Sequence, residues 1–210
     1  MKKAERARHV VELLAEQYPD AECELDYRTP WELLVATVLS AQCTDQRVNQ
    51  VTPELFRRWP TPGALAAADP DELEAVIRPT GFFRSKARSL RQAARTVVAD
   101  HGGEVPTDAE GLVALPGVGR KTANVVLGEA FGIPAGIAVD THVRRVATRL
   151  GLTRAADPGR IADELERLVP QHEWVGFSMR TILHGRRICG ARKPRCESCP
   201  LEPVCRKVGV

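Results

Sequence analysis

The chain has no long uncharged run, no internal repeat and few lysines. Its longest stretch without charge, Leu33 to Thr44, has 12 residues and includes Thr37, Ser40 and Gln42. That is too short and too polar to cross a bilayer, so membrane insertion is excluded. Met1-Lys2-Lys3-Ala4-Glu5-Arg6 carries basic residues with no apolar stretch behind them, so a secretory signal is not expected and the protein reads as cytoplasmic. No period of 20–50 residues recurs, which argues against a solenoid or propeller. Strand-like alternation bounded by hairpin turns is also missing. What remains, at 210 residues with 43% apolar and 27% charged side chains, is a globular chain large enough for one large domain or two small ones.

Helix signals fill that space. Thr29-Pro30-Trp31-Glu32 and Asp69-Pro70-Asp71-Glu72 each combine a capping residue, Pro at the first helical position and a following acid, as helix N-termini favour. Thr52-Pro53-Glu54, Asp157-Pro158 and Thr107-Asp108-Ala109-Glu110 read as further starts. Apolar residues recur at helical spacing at Val10, Leu13 and Leu14, and again at Ile161, Leu165 and Leu168. The expectation is an all-α protein of roughly ten helices.

Acidic residues are scarce where basic ones are plentiful. Residues 1–140 hold 16 Lys+Arg against 20 Asp+Glu, a net −4, whereas residues 141–210 hold 14 against 7, a net +7. Such asymmetry suits a polyanionic partner, with a basic solvated surface as the alternative. From Arg78 to Arg95, read as one helix, there are six basic residues and no acidic one. Arg84, Arg88, Arg91 and Arg95 share one helical face, fitting either phosphate contact or plain exposure.

Leu115-Pro116-Gly117-Val118-Gly119-Arg120-Lys121-Thr122-Ala123 lies between a short helix and a longer one. It is not a nucleotide phosphate loop, because Arg120 stands between Gly119 and Lys121 and a helix precedes it. Two helices joined by a tight glycine turn form a helix-hairpin-helix. Gly117, Val118 and Gly119 would bring backbone N–H groups close to a DNA phosphate without reading bases; a plain interhelical turn is the alternative. Lys121 is one of only 6 lysines against 24 arginines. At a helix start beside Arg120, its cation is opposed by the helix dipole, which favours the neutral amine. A neutral lysine amine can form a Schiff base, which arginine cannot; by spacing alone, though, a lysine near DNA is usually only a phosphate contact. Asp140, in Val139-Asp140-Thr141-His142, is either an N-cap or a carboxylate able to take a proton or stabilise a cationic sugar.

Cys189, Cys196, Cys199 and Cys205 crowd into 17 residues, while Cys23 and Cys43 stand apart as small core residues. A cytoplasmic setting disfavours disulfides. Structural zinc usually shows two matched C-x2-C pairs and only one occurs here, so a four-iron four-sulfur cluster is the better reading and zinc the alternative. Arg192 and Lys193, between the first two cysteines, would then serve as a phosphate clamp on DNA.

These residues together resemble the endonuclease III family of bifunctional DNA glycosylases. The resemblance rests on Leu115–Ala123, Val139–His142, Ser40–Asp45 (S-A-Q-C-T-D), Leu183–Arg186 (L-H-G-R) and the cysteine spacing, and it spans nearly the whole chain. It implies two helical domains. Residues 23–133 would form a six-helix barrel with the helix-hairpin-helix, and residues 1–22 and 134–210 a discontinuous domain holding one 4Fe-4S cluster. Double-stranded DNA with damaged pyrimidines or abasic sites would lie across the groove between them, bound by a monomer. The family's chemistry makes Lys121 the Schiff-base nucleophile and Asp140 its partner, with β-elimination following base loss. It also assigns Gln42 and Phe82 as residues inserted into the duplex and sets His142 among the DNA-binding residues, although capping or burial explains His142 as well. Two departures stand out: Phe82 replaces a leucine common in the family, and Val143-Arg144-Arg145 and Gly176-Phe177-Ser178-Met179 differ from its best-known members. The related adenine glycosylase is disfavoured, because Leu33–Ser40 lacks its catalytic Glu and Lys121 is present.

Overall fold

Side-chain caps set where most helices begin in the computed structural model, which describes residues 1–210. Thr29 Oγ1 accepts from the Glu32 amide at 3.2 Å to open α2 (Pro30–Leu39). Glu32 in turn reaches back past the cap, its Oε2 accepting from Arg28 N at 2.7 Å. Asp69 Oδ1 accepts from Asp71 N and Glu72 N to open α5 (Pro70–Ile77). Thr44, Thr61, Asp108, Asp140 and Asp157 do the same for α3 (Asp45–Arg58), α4 (Pro62–Ala66), α7 (Ala109–Ala114), α9 (Thr141–Leu150) and α10 (Pro158–Glu166). The other helices are α1 (Lys3–Gln17), α6 (Phe83–Asp100), α8 (Arg120–Phe131) and α11 (Trp174–Arg187). Short 3-10 turns complete the all-α fold, and no strand forms. No helix is long and apolar enough to cross a membrane.

Two sequence expectations about boundaries are corrected. Thr52-Pro53-Glu54 does not begin a helix; Pro53 lies inside α3. Thr52 is buried beside Val51, Leu55 and Phe56, and this packing outweighs the loss of one amide donor that proline imposes. The basic segment from Arg78 is not one helix either: a 3-10 turn (Arg78–Thr80) is followed by Gly81 and Phe82, both at positive φ, before α6 starts at Phe83.

The chain divides into two compact units, Cys23–Ile133 and Met1–Glu22 joined with Pro134–Val210. In the first, α2 is buried on every side from Trp31 to Leu39. The first part of the 12-residue uncharged stretch, Leu33–Leu39, is therefore a central core helix, which has no polar face to show. Around it pack Leu55, Leu73, Ile77, Leu90, Leu112 and Val126. Cys23 and Cys43 sit half-buried at the edge of this core, and burial pushes the Cys23 thiol up to about 11. In the second unit, α11 packs against both α1 and α9. Val10 and Leu14 of α1, Val143, Val146 and Leu150 of α9, and Phe177 of α11 are buried there.

Candidate functional site

The turn between α7 and α8 uses its two glycines differently. Gly117 has φ +83°, and a Cβ placed there would lie 2.8 Å from Ser89 Cβ on α6. Both the left-handed backbone and the close packing exclude a larger residue. Gly119 has an ordinary φ of −101°, and a Cβ placed there would meet nothing within 4 Å. Nothing inside the protein requires glycine at that position, and the space beside it is open. Gly119 is also the N-cap of α8 and has no side chain with which to cap it, which suits an anion at the helix start. Val118, between them, is buried and its amide donates to Leu115 O at 3.1 Å. Gly117→Ala is expected to lower stability by about 1–2 kcal/mol from the left-handed backbone alone. Gly119→Ala should cost less than about 1 kcal/mol as a poorer cap, yet weaken duplex binding about tenfold, which is ~1.4 kcal/mol. Thermal melts and DNA titrations of both variants check this division.

Lys121 occupies the second position of α8 and is half-buried. Gln42, Phe82, Gly117, Val118, Gly119 and Lys121 all belong to the unit Cys23–Ile133. Asp140, His142, Arg192, Lys193 and the four clustered cysteines belong to the other.

Gln42 and Phe82 share an unusual backbone. Their φ values are 54° and 47°, left-handed conformations that cost a non-glycine residue about 1–2 kcal/mol. Both side chains are exposed, Phe82 at 65%. An exposed phenylalanine held in a strained backbone gains nothing from the protein's own core, a combination that recurs at ligand sites. Beside it, Phe83 lies between the guanidinium groups of Arg78 and Arg84, 5.5 and 5.7 Å from its ring centroid.

Asp140 is the N-cap of α9, its Oδ1 accepting from His142 N and Val143 N, both at 2.8 Å. His142 is half-buried, and its Nδ1 pairs with an Arg145 amine at 3.1 Å. Burial lowers the pKa of its ring, Asp140 opposes that shift, and Arg145 and Arg186 reinforce it. Arg145 also donates to Gly185 O at 2.8 Å and Cys189 O at 3.0 Å. Gly185 is tight for the same reason: a Cβ there would stand 2.8 Å from His142 Cβ. The L-H-G-R segment is thus where α11 closes on the residues that follow Asp140.

Cys189, Cys196, Cys199 and Cys205 are free thiols lining one cavity, together with Val146, Leu150, His184 and Leu201. No three Cys, His, Asp or Glu side chains converge closely enough to share a single metal ion; the four sulfurs surround a space instead. Burial pushes the Cys199 and Cys205 thiols up, and the neighbouring cysteines push the same way. Four thiolates here need a cationic centre among them. Polar donors already address the sulfurs. Buried Arg149 points NH1 at Cys189 Sγ at 3.3 Å and at Gly190 O at 2.7 Å, while its NH2 donates to Ala191 O at 2.8 Å. The Lys207 amide lies 3.4 Å from Cys205 Sγ. His184 bridges Tyr18 Oη at 3.3 Å and Cys199 Sγ at 3.5 Å, and burial lowers its pKa to about 4. Arg192 and Lys193, in the same loop, are exposed to solvent.

Residues 35–171 match the HhH-GPD superfamily of base excision DNA repair proteins. The chain is 55% identical to endonuclease III of Synechocystis sp. over 203 residues, 97% of this chain and 93% of that protein. It belongs to the endonuclease III family. Two solved structures are similar at TM-score 0.93 and 46% identity, covering 99% of this chain and 97% of theirs: a non-covalent endonuclease III–DNA complex and a trapped endonuclease III–DNA covalent intermediate. Several residues around the candidate site have roles that the sequence does not display. No motif marked Arg149 or Tyr18, which lie behind the cysteines, while His184 (within L-H-G-R) and Arg145 (within Val143-Arg144-Arg145) stood in marked segments without any role of their own. Lys86 is another: it entered only the count of six basic residues from Arg78 to Arg95, although it is buried. Its signal was available: Lys86, Leu90, Ala93, Ala94 and Val97 share the apolar phase of that helix.

Proposed function

We propose that this chain is a bifunctional DNA glycosylase and abasic-site lyase of base excision repair, acting as a monomer on oxidised pyrimidines in duplex DNA. The observation that carries this reading is Lys121, a primary amine in the first turn of a helix whose glycine turn leaves room for a phosphate backbone. A family relative of the same fold has been trapped covalently on DNA, as a lysine nucleophile would allow.

The damaged base leaves the stack at an unpairing cost that is smallest for lesions. The Lys121 amine attacks C1′ of the sugar and the base departs with the bonding pair of the glycosidic bond. The Asp140 carboxylate stabilises positive charge on the sugar and takes the proton shed by the attacking amine. Opening of the ring gives the protonated Schiff base, which acidifies the 2′ hydrogens. Loss of one of them breaks the C3′–O bond, and water then releases Lys121. The hairpin amides of Gly117 and Gly119 hold the backbone, while Val118 N stays bonded to Leu115 O; Gln42 and Phe82 fill the space the nucleotide leaves, and Arg192 and Lys193 bind flanking phosphates. His142, held by Arg145, orients the start of α9 and so the cap carboxylate.

Cys189, Cys196, Cys199 and Cys205 would hold one 4Fe-4S cluster. The donor set fits: four free thiols around one cavity, with Arg149 and the Lys207 amide placed to stabilise the sulfurs. When bound, the cluster offsets the thiolate charge and organises the loop that displays Arg192 and Lys193. The purified protein should contain roughly four iron atoms per chain with broad visible absorption; zinc in place of iron would overturn the assignment. For the reaction, borohydride added to enzyme and a duplex bearing an oxidised pyrimidine should reduce the Schiff base to a stable adduct. Peptide mapping should find the sugar remnant on Lys121. No adduct, or an adduct on another lysine, would sink the mechanism.

A further inference from the structure

Lys86 is only 6% exposed and its ammonium has two partners, Leu39 O and Thr80 O, each at 2.8 Å. Leu39 is the last residue of α2, whose final carbonyls have no acceptor role left inside the helix. Three residues later the chain turns through Gln42. Thr80 ends the 3-10 turn Arg78–Thr80, and two residues later comes Phe82. The Lys86 amide donates to Phe82 O at 3.0 Å as the first bond of α6. One side chain and its own backbone therefore hold the roots of both loops that carry exposed, left-handed residues. Elsewhere on this face of α6 the core is made by Ala87, Leu90, Ala94 and Val97, and an apolar residue at 86 would continue it with no charge to desolvate. Burial lowers the Lys86 pKa, with Cys43 on the Gln42 loop opposing that shift. A buried ammonium kept at this cost, with carbonyl partners from two separate segments, specifies geometry more than it adds stability.

We propose that Lys86 is a positioning residue that sets the Gln42 and Phe82 loops in their inserting conformation before DNA arrives. This rests on the reading that those two loops enter the duplex. Without the amine, the two carbonyls lose their shared donor and the loops no longer keep a common register. Extrusion of a paired nucleotide then suffers while the chemistry at the sugar does not.

The test uses the full chain with its cluster loaded and compares single-turnover excision of one oxidised pyrimidine in two settings, fully paired and as an unpaired bulge in the same sequence. Lys86→Met should slow excision from the paired duplex about tenfold or more, and from the bulge less than about threefold, because the bulge has already met most of the unpairing cost. The ratio of the two rates is independent of the fraction of enzyme that folds. Lys86→Gln, which keeps two donors on a shorter stem, should fall between wild type and Lys86→Met in that ratio. In a Gln42→Ala/Phe82→Ala background, Lys86→Met should add less than about twofold, since residues acting through one another are not additive. Amide exchange in segments 40–44 and 81–83 should quicken in Lys86→Met. Equal slowing on both substrates, or full additivity with the loop variant, would show that Lys86 only stabilises the fold and would overturn the proposal. If the loop variant itself leaves the paired-to-bulge ratio unchanged, the insertion reading has failed and takes Lys86 with it. A loop effect without a Lys86 effect would fault Lys86 alone. A wild type that excises nothing from either substrate would instead fault the proposed activity.

Discussion

Lys121→Arg and Lys121→Ala are both expected to abolish the borohydride adduct and strand cleavage, lowering the single-turnover rate by at least about 10³-fold, or ~4 kcal/mol of transition-state stabilisation. The arginine variant is the informative one. It keeps a cation at the second position of α8 and can still contact a phosphate, but it stays protonated and cannot form a Schiff base. If Lys121 served only to bind the backbone, arginine would restore most of the activity. Affinity for an abasic duplex, measured separately, should change far less than the rate, because on the proposed reading the turn amides and the basic loop around Arg192 and Lys193 would still supply phosphate contacts. Covalent trapping that persisted in Lys121→Arg would move the nucleophile elsewhere.

Asp140→Asn is expected to slow base excision by about 10²–10⁴-fold, the range that a positioned acid or base contributes. The capping geometry makes this substitution clean. Both amides of the first turn of α9 are taken by the single oxygen Oδ1, and asparagine offers an equivalent oxygen and caps as well as aspartate. The melting temperature should therefore hold. Asp140→Ala should lose the rate and also about 1 kcal/mol of stability with the cap. An Asp140→Asn enzyme of near-normal rate would leave Asp140 as a cap and nothing more.

The contrast between these two residues shows what a sequence can disclose. The caps at Thr29, Asp69 and Asp157 were legible because capping is local: a hydroxyl or carboxylate needs only the amides two or three residues ahead. The same local pattern misled at Thr52-Pro53-Glu54, where burial of Val51, Thr52 and Leu55 carried the helix through the proline. The glycine turn, Lys121, Asp140 and the cysteine spacing stood out because their residue types are chemically constrained. Arg145 and Arg149 did not, since an arginine in a basic region looks like surface charge. Only the folded chain shows Arg149 buried, with its side chain on residues 189–191 and its carbonyl receiving Val208 N. Gly117 and Gly119 looked interchangeable for a similar reason. The Ser89 contact that separates them comes from a helix nearly thirty residues earlier.

The division of the chain also governs when its parts can form during synthesis. The unit Cys23–Ile133 is continuous and can fold as soon as it leaves the ribosome, whereas α1 belongs with residues 134–210. Val10 and Leu14, buried in the finished protein, lie on the helix that packs against α11, and Tyr18 bonds His184 of α11, so these contacts are missing until α11 is made. At translation rates of roughly 5–20 residues per second, that leaves the apolar face of α1 waiting about 10–35 s. During that interval the nascent chain presents an uncovered amphipathic helix tethered to a finished unit, and the cysteine loop has not yet appeared. Any cluster held by Cys189, Cys196, Cys199 and Cys205 can therefore be loaded only late in synthesis, and chaperone contact should concentrate on the first 18 residues.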